Sequence, residues 1–242
     1  MANFGNLMPF QSYLFDYNGV LVDDEAVHLA AFRDVLLPYG LSVSDAEYQT
    51  KYLGFDDVGA FRAIFADHSL ECDAKLVAKL VDAKKPLYLE RARRGLAVFA
   101  GASALLNRLA ESGAIIGIVS GALRQEIDLG LLALDAVNSV SFIVSAEDTT
   151  ACKPDPEGYR IGHAKLRQLA GVERAARVLV IEDSIAGIEA ARAAQLPCLA
   201  VAHSYEKHEL EHAGASHVVG TLSDIDDALL CELAKQVYRH AP

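Results

Sequence analysis

The 242 residues carry 22 Lys and Arg against 33 Asp and Glu, for a formal net charge of −11, and 52% of them are hydrophobic. Such a chain is long enough to bury a substantial core, as one large domain or two smaller ones. Its acidity argues against duplex nucleic acid as a partner, since that affinity depends on clustered Lys and Arg neutralising phosphates. No apolar run approaches the roughly 18 residues of a membrane helix. The N-terminal MANFGNLMPF has no cationic stretch leading into an apolar one. Cys72, Cys152, Cys198 and Cys231 are widely spaced with no CxxC pair, so a cytoplasmic protein with reduced thiols is expected.

In chain order, the first strand is predicted over 13–15. From 24 to about 98 no strand-like run appears, and the apolar spacing is helical over 26–36, 44–52, 56–65 and 73–94. Gly95 and Gly101 flank the return to alternating elements. A helix is then predicted over 103–111, strands over 115–119 and 142–144, and a helix over 156–170. Asp155-Pro156 starts that helix, because Asp can cap free N–H groups and Pro tolerates the first helical position. A strand over 178–181, a helix over 185–194, strands over 199–201 and 217–219 and a helix over 223–238 complete the chain. Strands apolar on both faces and alternating with helices imply βαβ units. The expected class is α/β: a doubly wound, mostly parallel Rossmann-like sheet built from 1–23 and 96–242, with an inserted all-helical domain at 24–95.

Ligands of open parallel sheets bind beyond the carboxyl ends of the strands. There the chain places Asp16-Tyr17-Asn18-Gly19, Ser120-Gly121, Cys152-Lys153-Pro154 and Glu182-Asp183-Ser184. Hard carboxylate oxygens suit Mg²⁺, and an added hydroxyl and ammonium suit a phosphoryl group beside it. Singly these residues have plainer readings: a solvated strand-end acid, a surface lysine, a helix cap, an acidic pair at the positive end of a helix. Their order along successive strand ends is what is specific.

On these motifs the chain resembles the haloacid dehalogenase-like hydrolases, over roughly 10–228. Asp16-Tyr17-Asn18-Gly19-Val20-Leu21 is similar to the family's first motif, Ser120 to the second, Lys153-Pro154 to the third, and Glu182-Asp183 with Gly187 to the fourth. The helical insertion, with Asp23, His28 and Gly54, is similar to the C1 cap of the phosphoglycolate phosphatase and β-phosphoglucomutase branch. The resemblance implies a phosphatase acting on a small phosphorylated metabolite, with no nucleic acid or membrane partner. Asp16 is the implied nucleophile, forming an aspartyl-phosphate. Mg²⁺ is implied at Asp16, the Asn18 carbonyl and Asp183 with Glu182 nearby, and phosphoryl contacts at Ser120, Gly121 and Lys153. His28 and Lys84 are the implied substrate contacts from the cap.

Asn18 departs from the family pattern, which places a general acid/base Asp there. A carboxamide cannot shuttle a proton at neutral pH, so slow or trapped turnover is expected. Asn18 fits either a replacement made to trap substrate or a native residue, and the undisturbed Gly-Val-Leu-Val-Asp-Asp-Glu run after it favours the second. Two alternatives follow: a carbon–phosphorus bond hydrolase using Lys51, Lys84 or Lys85, or an impaired protein that binds phosphorylated ligands without turnover. Asp57, where sugar-phosphate mutases of this branch carry Arg, argues against a second phosphate site. The run Lys84-Lys85 with Arg91, Arg93 and Arg94 is expected as a solvated helix face. His208-Glu209-Leu210-Glu211-His212 matches the HExxH zinc pattern, but His217 follows one residue short of the metzincin spacing. A solvated amphipathic helix is the expectation there.

Overall fold

A computed structural model describes residues 9–238, so most of the N-terminal stretch MANFGNLMPF lies outside the described residues. The elements run β1 Ser12–Phe15, β2 Val22–Asp23, α1 Glu25–Leu36, α2 Asp45–Glu47, α3 Asp57–Asp67, α4 Ala74–Arg94, β3 Ala97–Val98 and α5 Ala102–Glu111. They continue β4 Ile115–Val119, α6 Arg124–Ala133, β5 Phe142–Val144, α7 Glu157–Ala175, β6 Val178–Glu182, α8 Ile185–Ala193, β7 Cys198–Val201, α9 Lys207–Ala213, β8 His217–Val219 and α10 Asp227–Tyr238. Among the described residues two compact units result, one formed by the chain up to Val22 with the chain from Val98 onward, and one by Asp23–Ala97. Among the described residues no helix is long and apolar enough to cross a membrane, and the four cysteines are free.

The first unit holds a six-stranded sheet in the order β5-β4-β1-β6-β7-β8, with parallel pairing throughout. β1 and β6 are buried along their whole length, which is why their runs are apolar on both faces. The chain winds outward from β1 through β4 and β5 on one side and through β6, β7 and β8 on the other. Leu14, Val119, Val180, Tyr159, Leu166 and Ile188 join strands to helices in one apolar core.

In the second unit Leu29, Phe32, Val35 and Leu36 of α1 recur at helical spacing and pack with Phe61, Ile64 and Leu80. Asp56 caps α3 by accepting from Gly59 N at 2.7 Å, and Asp73 caps α4 from Leu76 N at 2.7 Å.

Several boundaries differ from expectation for identifiable reasons. α6 is absent from the predicted elements. Gly130 in its middle weakens the helical signal, yet a Cβ there would lie 2.0 Å from the Tyr17 hydroxyl. The segment 44–52 is a short α2 followed by a π-turn over Tyr48–Tyr52. The last helix begins at Asp227, not 223, because Leu222–Asp224 forms a separate 3₁₀ turn. Pro156 is the residue before α7 and not its first, and Asp155 Oδ1 accepts from Glu157 N at 2.9 Å.

Candidate active site

Register brings the strand ends level: Phe15 pairs with Ile118 of β4 on one side and Ile181 of β6 on the other. The residues that leave those strands, Asp16, Ser120 and Glu182-Asp183, therefore converge, and all four are buried. Lys153 enters from the loop before α7, and its Nζ donates to Asp16 Oδ1 at 2.7 Å and to Glu182 Oε1 at 2.6 Å. Glu182 Oε1 also accepts from the buried Tyr159 hydroxyl at 2.7 Å. Its Oε2 accepts from Ser184 N at 3.2 Å and Ser184 Oγ at 3.0 Å, at the start of α8. Glu182 thus both complements the helix N-terminus and anchors the ammonium.

Asn18 sits in a tight turn where Leu21 N donates to Tyr17 O at 2.8 Å and Gly19 N to Val22 O at 2.9 Å. The Ser120 hydroxyl donates to Asn18 Oδ1 at 3.3 Å and accepts from Ala122 N at 3.1 Å. Gly19 has φ +74°, and a Cβ on it would lie 2.0 Å from Asp183 Oδ2. Only glycine lets the turn lie against that carboxylate. Ser204 Oγ donates to Asp183 Oδ2, and His203 Nδ1 lies 2.8 Å from Gly19 O.

Three buried carboxylates against one ammonium leave a negative surplus, and the titration directions follow. Burial first, then the Glu182 charge, push Asp16 up to about 7 against the opposing pull of Lys153. Burial and the Glu182 and Asp16 charges push Asp183 well above the usual carboxylate range. Burial also pushes on Glu182, but the Lys153 ammonium and its hydrogen bonds hold it low. Lys153 is raised, because Asp16 and Glu182 outweigh its burial. One oxygen from each of Asp16, Glu182 and Asp183 lies within 4.8 Å of the others. Hard oxygen donors so placed, two of them forced toward the neutral form by burial and mutual repulsion, fit a divalent cation.

Among the described residues this is the only group of three or more His, Cys, Asp or Glu side chains able to hold a metal. His208 and His212 lie on α9, where Lys207 pairs with Glu211 at 3.8 Å, and no third ligand joins them. Gly121 follows Ser120 in an exposed position. His28 and Lys84 belong to the helical unit, where Lys84 Nζ lies 2.7 Å from His28 Nδ1 and is ion-paired with Asp57. His28 Nε2 is 3.2 Å from Asp24 Oδ2, and Tyr88 donates to that same oxygen. The expected solvated face therefore holds for Arg93 and Arg94 but not for Lys84, which is buried against the Phe32 ring at 4.3 Å.

Tyr159, His203 and Ser204 join the site beyond the residues that the motifs single out. The last two have a readable signal, since they leave β7 at the same edge of the sheet as the other strand ends. Tyr159 has none, being one apolar position among several in α7.

The haloacid dehalogenase-like hydrolase family profile matches residues 13–201. Validoxylamine A 7'-phosphate phosphatase of Streptomyces hygroscopicus subsp. limoneus is 26% identical over 205 residues, covering 83% of this chain and 89% of that protein. Phosphoglycolate phosphatase of Caulobacter vibrioides is 29% identical over 229 residues, covering 89% of each. A crystal structure of β-phosphoglucomutase from Clostridium difficile superposes with a TM-score of 0.79 at 18% identity, over 96% of this chain and 100% of that one. With the profile spanning most of its length, and with a six-stranded parallel sheet whose level ends gather Asp16, Ser120, Lys153, Glu182 and Asp183, the chain belongs to the haloacid dehalogenase-like hydrolases.

Proposed function

We propose that the protein is a magnesium-dependent phosphatase for a small phosphorylated metabolite, with Asp16 as nucleophile. The observation that carries this reading is the Lys153 ammonium held between Asp16 and Glu182, with Asp183 beside them. Two relatives named as phosphatases support it.

Asp16 and Asp183, with the backbone carbonyl of Asn18, would hold Mg²⁺; Glu182 lies alongside, its oxygens already engaged by Lys153, Tyr159 and Ser184. The bound ion supplies neutralisation of charge at the phosphoryl oxygens. Lys153 orients the Asp16 carboxylate through Oδ1. Asp16 then attacks phosphorus in line with the leaving oxygen, the bond to that oxygen breaks, and an aspartyl-phosphate forms; water attacks that phosphorus and releases phosphate. Ser120 Oγ, the Gly121 N–H and Lys153 Nζ donate to the transferring oxygens.

Asn18 supplies no proton to the leaving oxygen and removes none from the attacking water. That residue favours a second reading, a protein that binds phosphorylated ligands with negligible turnover. Carbon–phosphorus cleavage through a lysine imine gains no support. Lys84 Nζ is engaged by Asp57 and His28, and Lys51 pairs with Asp67 at 2.9 Å, which raises Lys51 and favours its protonated, non-nucleophilic amine. A Mg²⁺-dependent screen of phosphorylated metabolites, run on this chain and on Asn18→Asp, tests the proposal. Mg²⁺-dependent phosphate release that rises in the variant supports it, and release from neither protein overturns it.

A further inference from the structure

We infer that the loop leaving β7 is a positioning element for the cation site, in which His203 and Ser204 hold the two halves of the cradle in register. The inference rests on the cation site proposed above.

β7 pairs with β6, and β6 with β1, so the end of β7 is two strands from the turn that carries Asn18 and Gly19. At roughly 4.8 Å per strand, consecutive side chains of one loop can reach both neighbours. Ser204 reaches the nearer one, donating to Asp183 Oδ2. His203 reaches the farther one, its Nδ1 lying 2.8 Å from Gly19 O. A carbonyl only accepts, so Nδ1 carries the proton in this contact.

The His203 ring is itself fixed. It stacks on Phe99 with centroids 3.9 Å apart and planes 12° from parallel. Phe99 N donates to Leu21 O at 3.1 Å, so the stacking partner is tied to the same turn. The Gly19 Cα and the Asp183 carboxylate meet face to face, at a distance that excludes any Cβ. The turn and the acid thus touch each other, and one loop hydrogen-bonds both. Because Ser204 takes Oδ2, Asp183 presents Oδ1 to a cation. His203 fixes the Gly19–Val20 peptide through its carbonyl. The adjoining peptide, which carries the Asn18 carbonyl, is tied by Gly19 N donating to Val22 O at 2.9 Å, so the two bonds on either side of the Gly19 Cα together set the direction of the Asn18 carbonyl. Neither side chain reacts; both act through groups they orient.

The test is Mg²⁺ binding by titration calorimetry on the full chain, with melting temperature measured without Mg²⁺. His203→Phe keeps a ring to stack on Phe99 and removes the donor; Ser204→Ala removes the hydroxyl. Outer-shell partners of this kind typically change metal affinity about 10–100-fold, and a loss of that size is expected in each. His203→Asn and Ser204→Thr restore a donor and are expected to recover the parent affinity. If His203→Phe and Ser204→Ala bind Mg²⁺ as the parent does while their melting temperatures fall, the loop is merely structural and the inference is overturned. If the donor-restoring variants bind as weakly as the donor-free ones, it is overturned as well. A parent that binds no Mg²⁺ sinks the cation site, and the inference with it.

Discussion

Gly19→Ala places one methyl group where the turn meets Asp183. Two effects add. The residue has φ +74°, a left-handed conformation that costs a residue with a side chain about 1–2 kcal/mol. The new Cβ would also lie 2.0 Å from Asp183 Oδ2 and 2.6 Å from its Cγ. An ordinary contact needs about 3.5 Å, so turn and carboxylate must part by roughly 1.5 Å. Misplacement of about 1 Å can cost on the order of 10²-fold in rate. Gly40 separates the two effects: it has φ +68°, and a Cβ on it would meet nothing within 4 Å. Gly40→Ala should lower the melting temperature by about 4 °C and leave Mg²⁺ binding alone. Gly19→Ala should lower it at least as much and weaken Mg²⁺ binding by about 10-fold or more. Calorimetry and thermal melts on both variants decide. Equal Mg²⁺ affinity in the two would refute the reasoning.

Asn18→Asp should raise phosphate release about 10²–10⁴-fold, the usual contribution of a positioned acid–base group; a flat result with 4-nitrophenyl phosphate and with the best metabolite of the screen would remove the acid–base explanation. Lys153→Met leaves Asp16 and Glu182 without their shared counter-charge. Stability should fall by about 3–5 kcal/mol in denaturant titrations, as for one partner removed from a buried pair, and hydrolysis should fall by about 10²-fold or more. Asp16, raised by burial to about 7, binds protons in competition with a cation. Mg²⁺ affinity should therefore drop as pH falls below about 7, with proton release on binding near neutrality. The sign for stability is the reverse of an ordinary ion-paired acid. The folded chain holds a proton that the unfolded chain has lost, so cation-free stability should decline as pH rises from about 4 to 7. Thermal melts at about pH 5.5 and 8, with and without Mg²⁺, check both, and a cation-free protein more stable at the higher pH would contradict the assignment.

The sheet was legible because parallel strands covered on both faces must be apolar on both, and all six of its strands show such runs. The acids and Lys153 were legible for a topological reason, since every strand end of a doubly wound sheet emerges at one edge. Two features escaped. Lys84 is singled out as an implied substrate contact and as part of a charged face, but its burial is not foreseen, although it lies on the buried stripe Val77, Leu80, Lys84, Tyr88 of α4. Spacing marks it as inward, but its partner Asp57 is 27 residues away, beyond any local pattern. α6 is hidden by Gly130, whose missing side chain answers to the Tyr17 ring, a tertiary cause that a propensity reading counts only as a helix breaker. His203 and Ser204 follow the same strand-end logic as Asp16, two strands further along the sheet.

Covalent phosphorylation of Asp16 tests the central claim most directly. A donor such as acetyl phosphate needs no proton on its leaving group, so Asn18 does not hinder formation of the aspartyl-phosphate, but it does slow attack by water. Incubated with acetyl phosphate and Mg²⁺, then quenched in acid and characterised by peptide mass spectrometry, this chain should carry a phosphoryl group on Asp16. Asn18→Asp should carry far less at steady state while releasing more phosphate. A chain that stays unmodified at Asp16 with Mg²⁺ bound, or that is modified elsewhere, would contradict the account.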